Sequence, residues 1–130
     1  MPTRERILEQ VKHWEWTWNN DIMRMVDECY AENCEVTDMF RTRTFYGREE
    51  LRQMEQHMLK EDSSRSMDVV NVVVDGNVAA LEVHMHWGKN ETVGVAFLTF
   101  DEDGFILTDH SYGGDEGGPA DHDPRRRESS

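Results

Sequence analysis

The chain has 130 residues, a length that suits one domain with a single core burying roughly two-thirds of its unfolded surface. Its 27 Asp and Glu residues outnumber 14 Lys and Arg, and the formal charge of -13 repels nucleic-acid phosphates and anionic membranes. We therefore expect no nucleic-acid partner and no membrane partner, and no apolar run approaches the roughly 20 residues that span a bilayer.

The two cysteines, Cys29 and Cys34, lack CxxC spacing and have no matching set of histidine ligands. The N-terminal stretch contains no apolar targeting segment. The expectation that follows is a reduced, cytoplasmic setting.

Apolar residues at helical spacing predict two N-terminal helices that pack as a pair. The first should run from residue 3 or 4 to residue 19, with Trp16 on the side opposite its apolar stripe. Asp21 is placed to cap the second helix, because its carboxylate can accept a backbone N–H of the first turn. The residues predicted to form the apolar faces are Ile7, Val11, Trp14 and Trp18 in the first helix, and Ile22, Met25, Val26, Cys29 and Tyr30 in the second.

A helical pattern gives way to a strand pattern between residues 30 and 40. Side chains alternate between faces along a strand, so Val36, Asp38 and Phe40 should point the same way. A carboxylate on an apolar face costs free energy unless it is paired, hydrogen-bonded or partly protonated. Asp38 is therefore a candidate for acid-base chemistry.

The next segment, residues 41–47, is too polar for a core strand. It is either an edge strand or a loop over a cavity mouth, and we favour a solvated connection. A third helix should follow from residue 48 to residue 60. The residues predicted on its apolar face are Leu51, Met54, Met58 and Leu59.

Farther along the chain the hydrophobic period changes to two, and turn signals separate the apolar runs. The predicted antiparallel strands cover residues 67–74, 78–87, 92–100 and 105–112. This order of elements is typical of an α+β domain in which helices cover one face of a curved sheet. After Tyr112 the sequence has almost nothing to bury, so we expect a domain over residues 1–114 and a mobile, acidic and polar tail over residues 115–130.

Asp109 on the last predicted strand repeats the situation of Asp38. Alternation puts it on one face with Phe105, Leu107 and Ser111. Two acids on apolar strand faces can converge on one cavity, where their pKa values would be pushed apart. Alternatively, Asp109 pairs with an arginine or ends the buried part of its strand.

Histidines offer further candidate sites. His84 and His86 share a strand face with Glu82, but a metal site needs a third or fourth ligand, so we favour a polar outer face or a subunit contact. His13 lies one helical turn before Thr17, where it either reaches a cavity as donor or base or is an ordinary boundary histidine.

The sequence contains no nucleophile elbow, P-loop or glycine-rich dinucleotide motif. Serine hydrolysis, phosphoryl transfer and hydride transfer therefore lack support. Proton transfer remains, with no cofactor and no metal expected.

Four segments, in this order and spacing, resemble the nuclear transport factor 2-like superfamily, in particular its SnoaL-like and ketosteroid-isomerase-like branches. They are Trp18-Asn19-Asn20-Asp21, Tyr30-Ala31-Glu32-Asn33-Cys34-Glu35-Val36-Thr37-Asp38, Tyr46-Gly47-Arg48-Glu49-Glu50-Leu51, and Asp103-Gly104-Phe105-Ile106 ahead of Tyr112. The resemblance covers roughly residues 5–114. It implies a cone-shaped, cystatin-like α+β barrel in which a curved, mostly antiparallel sheet wraps around the N-terminal helices, usually as a homodimer with a deep apolar pocket.

The resemblance also implies roles for individual residues. Asp38 matches the proton-shuttling aspartate of the ketosteroid isomerases. The position of their oxyanion-holding tyrosine falls near His13, and that of their protonated aspartic acid falls near Ala96. The oxyanion pair is therefore missing, and we do not expect steroid isomerisation. Asp109 would line the pocket by alignment with the final strand.

We therefore predict a small cofactor-independent enzyme that moves a proton on an apolar small molecule, as in isomerisation, cyclisation or dehydration. Asp38 would be the base, with Asp109 or His13 as the acid or hydrogen-bond donor. The alternative is a ligand-binding or dimerisation domain without turnover, whose pocket is narrow or filled and whose Asp38 is neutralised by Arg41 or Arg43. The residues predicted to bind the substrate are Trp14, Thr17, Trp18, Phe40, Tyr46, Met54, Met58, Leu81, Val83 and Ser111.

Overall fold

The computed structural model of the protein describes residues 1–113, which form three helices and a six-stranded sheet. The tail predicted over residues 115–130 lies outside the described residues. The order of elements confirms the α+β prediction. In chain order the elements are α1 (Arg4–Asn20), α2 (Ile22–Cys29), β1 (Tyr30–Asp38), β2 (Arg43–Tyr46), α3 (Gly47–Glu61), β3 (Ser66–Asp75), β4 (Val78–Trp87), β5 (Asn90–Phe100) and β6 (Ile106–Gly113).

The two N-terminal helices begin at side-chain caps that the sequence provides. The Thr3 hydroxyl accepts the backbone N–H of Arg6 at 3.1 Å, and the Asp21 carboxylate accepts that of Arg24 at 3.2 Å. Each bond satisfies a backbone donor that the start of a helix leaves unpaired. Trp16 is exposed on the side opposite the buried stripe of α1, as predicted. Within residues 1–113, none of the helices is long and apolar enough to cross a membrane.

The sheet has the strand order β2-β1-β6-β5-β4-β3. β1 and β6 run parallel, and the other neighbouring strands pair antiparallel. The last strand therefore returns beside the first one. This topology brings together the two strands that carry Asp38 and Asp109.

The inner face of the sheet packs against the helices. Leu81 and Leu98 from the sheet join Ile7, Val26 and Leu51 from the three helices in one buried cluster. Burial of apolar surface is the dominant favourable term in folding, so this face holds the two layers together. The helices thus cover one face of the sheet, as predicted.

The end of β1 differs from the simple strand pattern. Phe40 lies in the turn after β1 with 38% of its surface exposed, so it does not continue the inner face with Val36 and Asp38. The cause is local, because the Asp38 carboxylate accepts the Phe40 backbone N–H at 3.0 Å and closes a turn. The polar segment that follows forms the edge strand β2, where we had favoured a solvated connection. An edge strand tolerates polar residues because one side of it faces water.

Two further expectations about faces were wrong. On α3, Leu59 is exposed and Glu55, one turn earlier, takes the buried position. On β6, a register shift next to Phe100 breaks the alternation, so Ile106 rather than Leu107 is buried on the side of Asp109. A bulge adds one residue to a strand and thereby exchanges its two faces.

Among residues 1–113, no helix packs against the outer face of the sheet. Glu82, His84 and His86 lie there, opposite the buried residues of β4, as the alternation predicted. Apolar side chains share this face farther across the sheet. Those that are exposed on β5 and β6, called the outer patch below, are Val93, Val95, Phe97 and Tyr112.

The two faces of β5 should respond differently to truncation. Leu98 is 0% exposed and Val93 is 57% exposed. We expect Leu98→Ala to lower the free energy of unfolding by about 2–5 kcal/mol, because it leaves a cavity in the core. Val93→Ala is the matched control and should cost less than about 1 kcal/mol. Urea denaturation followed by far-UV circular dichroism measures both, and equal effects would contradict the assignment of the faces.

Candidate functional site

An open cavity of about 820 Å³ lies between α1, α3 and the inner face of the sheet. Its lining includes the buried residues Trp14, Tyr30 and Asp109, and it extends to Trp87 at the end of β4 and Asn90 at the start of β5. The volume falls within the roughly 300–1,000 Å³ typical of small-molecule sites. The cavity is therefore large enough to hold a small molecule.

Most of the predicted site residues meet in this cavity. The ones that line it are Trp14, Trp18, Asp38, Met54, Met58, Val83, Asp109 and Ser111. The ones that the structure places away from its lining are His13, Thr17, Phe40, Tyr46 and Leu81. The two predicted acids thus converge on one space, whereas the predicted histidine does not join them.

His13 faces α2 rather than the sheet. Its Nε2 atom lies 2.7 Å from Oε1 of Glu28, and hydrogen bonds from Arg24 and then His13 lower the pKa of Glu28 to about 2. Thr17, one turn later, is buried and donates its hydroxyl proton to the carbonyl oxygen of His13 at 2.7 Å. Trp14 and Trp18 form the stripe of α1 that faces the cavity. His13 lies beside this stripe, at the boundary between buried and exposed positions of the helix.

Asp109 is the buried acid of the site, with 3% of its surface exposed. The Tyr30 hydroxyl donates to Oδ2 at 2.7 Å, and the Ser111 hydroxyl donates to Oδ1 at 2.7 Å. The indole N–H of Trp14 donates in turn to the Tyr30 hydroxyl oxygen at 3.1 Å. An indole is a donor only, so the tyrosine oxygen must accept from it and direct its own proton to Asp109.

Burial sets the proton affinity of this group. It raises the pKa of Asp109, and the hydrogen bonds from Tyr30 and Ser111 offset the increase only in part. Burial, followed by the neighbouring Asp109 carboxylate, raises the pKa of Tyr30 well above its usual value. Tyr30 therefore remains a neutral donor, while Asp109 binds a proton more readily than an ordinary aspartate does.

The partners of Asp109 bear on the alternatives stated from sequence, and Asp109 is also the last buried residue of β6. Within residues 1–113, hydroxyl groups rather than an arginine hydrogen-bond to its carboxylate. No cation in hydrogen-bond contact therefore holds the group in its ionised form, which leaves proton exchange with a ligand open.

Asp38 has different surroundings. Its Oδ1 accepts the backbone N–H groups of Phe40 and Arg41 at 3.0 and 3.1 Å, and its Oδ2 accepts from the Arg41 guanidinium at 3.0 Å. In the parallel pair of β1 and β6, Asp38 lies opposite Ser111 and Val36 lies opposite Asp109. The two carboxylates are thus two positions apart, about 7 Å along the strands. Asp38 is ion-paired in the way that the ligand-binding alternative predicted.

A second charged group in the cavity wall was missed in the sequence. Glu55 and Arg65 form an ion pair in which each side chain is 6% exposed. The guanidinium carbon of Arg65 lies 4.6 Å from the ring centroid of Trp18 and 5.5 Å from that of Trp87. The available signal was the spacing of Glu55, which follows the apolar Leu51 by one helical turn and so falls on the buried face of α3.

Tyr30 was placed correctly as a buried residue but not as a site residue. Its contact with Asp109 depends on the parallel pairing of β1 and β6, which joins residues 79 positions apart. Neither a helical nor a strand periodicity carries that information.

Cys29 and Cys34 are free and buried, and burial raises the pKa of Cys29 to about 11. Neither of them lines the cavity. Within residues 1–113, no group of three or more His, Cys, Asp or Glu residues is arranged to hold a metal ion.

The model of the SnoaL-like domain family matches residues 11–108 of this chain. No curated protein sequence matches it.

Solved structures show the same fold at low sequence identity. An NTF-2-like protein of unknown function from Burkholderia xenovorans LB400 is 15% identical, with a TM-score of 0.75, and the match covers 96% of this chain and 92% of that one. A candidate SnoaL-like polyketide cyclase from Jannaschia sp. CCS1 is 12% identical, with a TM-score of 0.76 and coverages of 87% and 88%. A candidate ketosteroid isomerase from Kribbella flavida DSM 17836 is 19% identical, with a TM-score of 0.75 and coverages of 85% and 79%. These similarities establish the nuclear transport factor 2-like cone fold.

The raised pKa of Asp109 makes stability depend on pH in a defined direction. Above about pH 4, where an ordinary aspartate ionises, the unfolded chain releases a proton that the native protein retains. The free energy of unfolding should therefore fall with rising pH relative to that of Asp109→Asn, until the pH exceeds the native pKa. Urea denaturation of both proteins between about pH 4 and pH 8 measures the difference, from which the other titrating groups cancel. A rise in relative stability over this range would contradict the prediction.

Proposed function

This chain belongs to the SnoaL-like domain family, and we propose that it is a cofactor-independent enzyme that moves a proton on a small molecule held in its cavity. Isomerisation, cyclisation and dehydration are the reactions of this class. One observation carries the proposal: Asp109, a buried carboxylate whose hydrogen-bond donors within residues 1–113 are hydroxyl groups rather than cations, lines an 820 Å³ cavity. A catalytic acid or base works best when burial brings its pKa closer to the working pH.

In this proposal, Asp109 first accepts a proton from the substrate and then donates it back. Its Oδ2 accepts from Tyr30, which Trp14 holds in place, and its Oδ1 accepts from the Ser111 hydroxyl. We assign the exchange with the substrate to Oδ1, because a serine hydroxyl can rotate its proton away. The proton removed from a C–H or O–H bond is held on Oδ1 and returned to another atom of the substrate. In a dehydration it is returned to the departing hydroxyl group, which leaves as water.

Ser111 assists the exchange. Its hydroxyl donates to Oδ1 when Asp109 is ionised. Once Oδ1 carries the proton, it can donate to the serine oxygen, and the serine proton becomes free to point at the ligand. The pair thus supplies an acceptor before the transfer and a donor after it.

The role of Asp38 changes in this proposal. Sequence analysis predicted it as the base, but its two oxygens hold the turn after β1 and the Arg41 guanidinium. We assign it to shaping the cavity mouth, and assign the proton transfer to Asp109. The cavity is also lined by the apolar residues Val36, Met54 and Val83, which favour an apolar substrate.

A non-catalytic ligand-binding domain is the second candidate. The observation that favours it is the internal neutralisation of charge, since Asp38 pairs with Arg41 and Glu55 pairs with Arg65. A site built in this way can bind an apolar molecule without acting on it. The two candidates differ in whether Asp109 exchanges a proton with the bound molecule.

Hydrogen exchange in D₂O tests the transfer step without knowledge of the natural substrate. We expect the wild-type protein to accelerate deuterium incorporation at the acidic C–H groups of 2-tetralone, followed by ¹H NMR. Asp109→Asn should lower the enzymatic rate by about 10²–10⁴-fold, because it removes the proton acceptor. Asp38→Asn is the matched carboxylate control and should change the rate less than about tenfold.

Three outcomes are decisive for these assignments. If Asp109→Asn exchanges as fast as wild type, Asp109 is not the base. If Asp38→Asn loses the activity instead, the assignment predicted from sequence holds. If the wild-type protein binds 2-tetralone without accelerating exchange, the ligand-binding candidate is favoured.

We also propose that two copies of the chain associate through the outer patch. The compartment that we propose is a reducing one, such as the cytoplasm. Apolar residues clustered on an exposed sheet face are typical of interaction surfaces, and Phe97 and Tyr112 pack edge to face there with ring centroids 5.9 Å apart. Sedimentation velocity should give twice the 15.3 kDa mass of one chain. Phe97→Glu should yield monomers and the exposed control Trp16→Glu should not, while a monomeric wild type would contradict the proposal.

A further inference from the structure

The part of the cavity near the β4–β5 turn contains a buried donor that has no acceptor among residues 1–113. Trp87 is the last residue of β4 and is 6% exposed, and its indole Nε1–H has no hydrogen-bond partner within the described residues. Native proteins rarely leave a buried polar group unsatisfied, because desolvation without a compensating hydrogen bond is costly. Trp87 lines the cavity, so a ligand is the natural source of the missing acceptor.

Arg65 lies beside this donor with unused hydrogen-bonding capacity. A guanidinium carries five N–H groups, and the described residues provide Arg65 with one hydrogen-bond acceptor, Glu55. Contacts with the Trp18 and Trp87 rings hold the guanidinium in position. Its remaining N–H groups and the Trp87 indole N–H therefore form a second set of donors in the cavity wall.

The charge of this donor set selects the kind of acceptor. Glu55 already neutralises Arg65, and both side chains are almost fully buried. A carboxylate on the ligand would approach the Glu55 carboxylate in a region of low dielectric, where like charges repel strongly. A neutral carbonyl or ether oxygen accepts the same hydrogen bonds without that penalty.

We propose that Arg65 and Trp87 form a specificity subsite that binds an uncharged oxygen acceptor on the substrate. The inference rests on the proposed function only in taking the cavity as a small-molecule site. Ala79 lies level with Asp109 through Leu98, and Trp87 ends the same strand eight residues later, so the subsite and Asp109 are separated by at most roughly 26 Å along the strand direction. The substrate class is therefore an elongated, largely apolar molecule with an oxygen function at the end away from the proton-transfer centre.

Matched probes of one shape test the subsite by binding alone. The probes are 2-acetylnaphthalene, which carries a carbonyl acceptor, 2-ethylnaphthalene, which lacks it, and 2-naphthoate, which carries a charge. Equilibrium dialysis with chromatographic quantification gives each affinity. We expect the wild-type protein to bind the ketone about two- to tenfold more tightly than the hydrocarbon, the range that one net hydrogen bond provides.

Trp87→Phe removes the N–H group and keeps an aromatic ring. It should abolish the preference for the ketone and leave the affinity for the hydrocarbon within about twofold. Arg65→Lys keeps the charge opposite Glu55 but loses the planar set of donors, and it should reduce the preference as well. Trp16→Phe makes the same indole-to-phenyl change at an exposed position outside the cavity and should change nothing.

Several results would overturn the subsite. They are an unchanged ketone preference in Trp87→Phe, an equal loss of ketone and hydrocarbon binding, and tighter binding of 2-naphthoate than of the ketone. Thermal unfolding of each variant shows that the fold is retained. The proposed function fails separately, since a wild-type protein without exchange activity would still show the ketone preference, and Asp109→Asn should keep it.

Discussion

The hydrogen bond from the Tyr30 hydroxyl to the Asp109 carboxylate is the contact on which the rest of the site depends. It joins the first residue of β1 to the last strand, across 79 positions of sequence. Trp14 on α1 extends it to the first helix through the indole N–H. Because a buried carboxylate is costly without donors, Asp109 is tolerable only where the helix and both strands meet as they do here. The same contact fixes the geometry of the proposed proton-transfer group.

The acids that line the cavity differ in whether their partner is an arginine or a neutral hydroxyl group. Asp38 and Glu55 each form an ion pair with an arginine. Asp109 has neutral hydroxyl partners, so burial dominates and its pKa rises. Asp38, Glu55 and Asp109, three of the acids that line the cavity, thus differ in their partners, and Asp109, whose donors are neutral hydroxyl groups, is the one to which we assign the proposed proton transfer.

Local sequence rules predicted much of the fold, and they failed where side chains formed tertiary or turn contacts. Strand β4 was predicted with its observed limits, because alternation in a hairpin between clear turn signals leaves little freedom. The inward direction of Phe40 was wrong, since Asp38 captures the next backbone N–H groups and ends the strand. The face of Leu107 was wrong because a bulge in β6 is a property of its pairing with β5, not of its own sequence.

By itself, the sequence determined the α+β order of elements and the inner face of most strands, because both follow from hydrophobic periods of 3.6 and two. It also singled out the acids on β1 and β6, because a carboxylate among apolar neighbours is costly. The tertiary structure decided which of the two acids is paired with an arginine and which is hydrogen-bonded by neutral hydroxyl groups. Arg41 reaches Asp38 through a turn, whereas Tyr30 and Ser111 reach Asp109 through the pairing of β1 with β6 and the inward face of β6. Proton affinity depends on burial and on neighbours brought together from distant parts of the chain, and these exist only once the chain has folded.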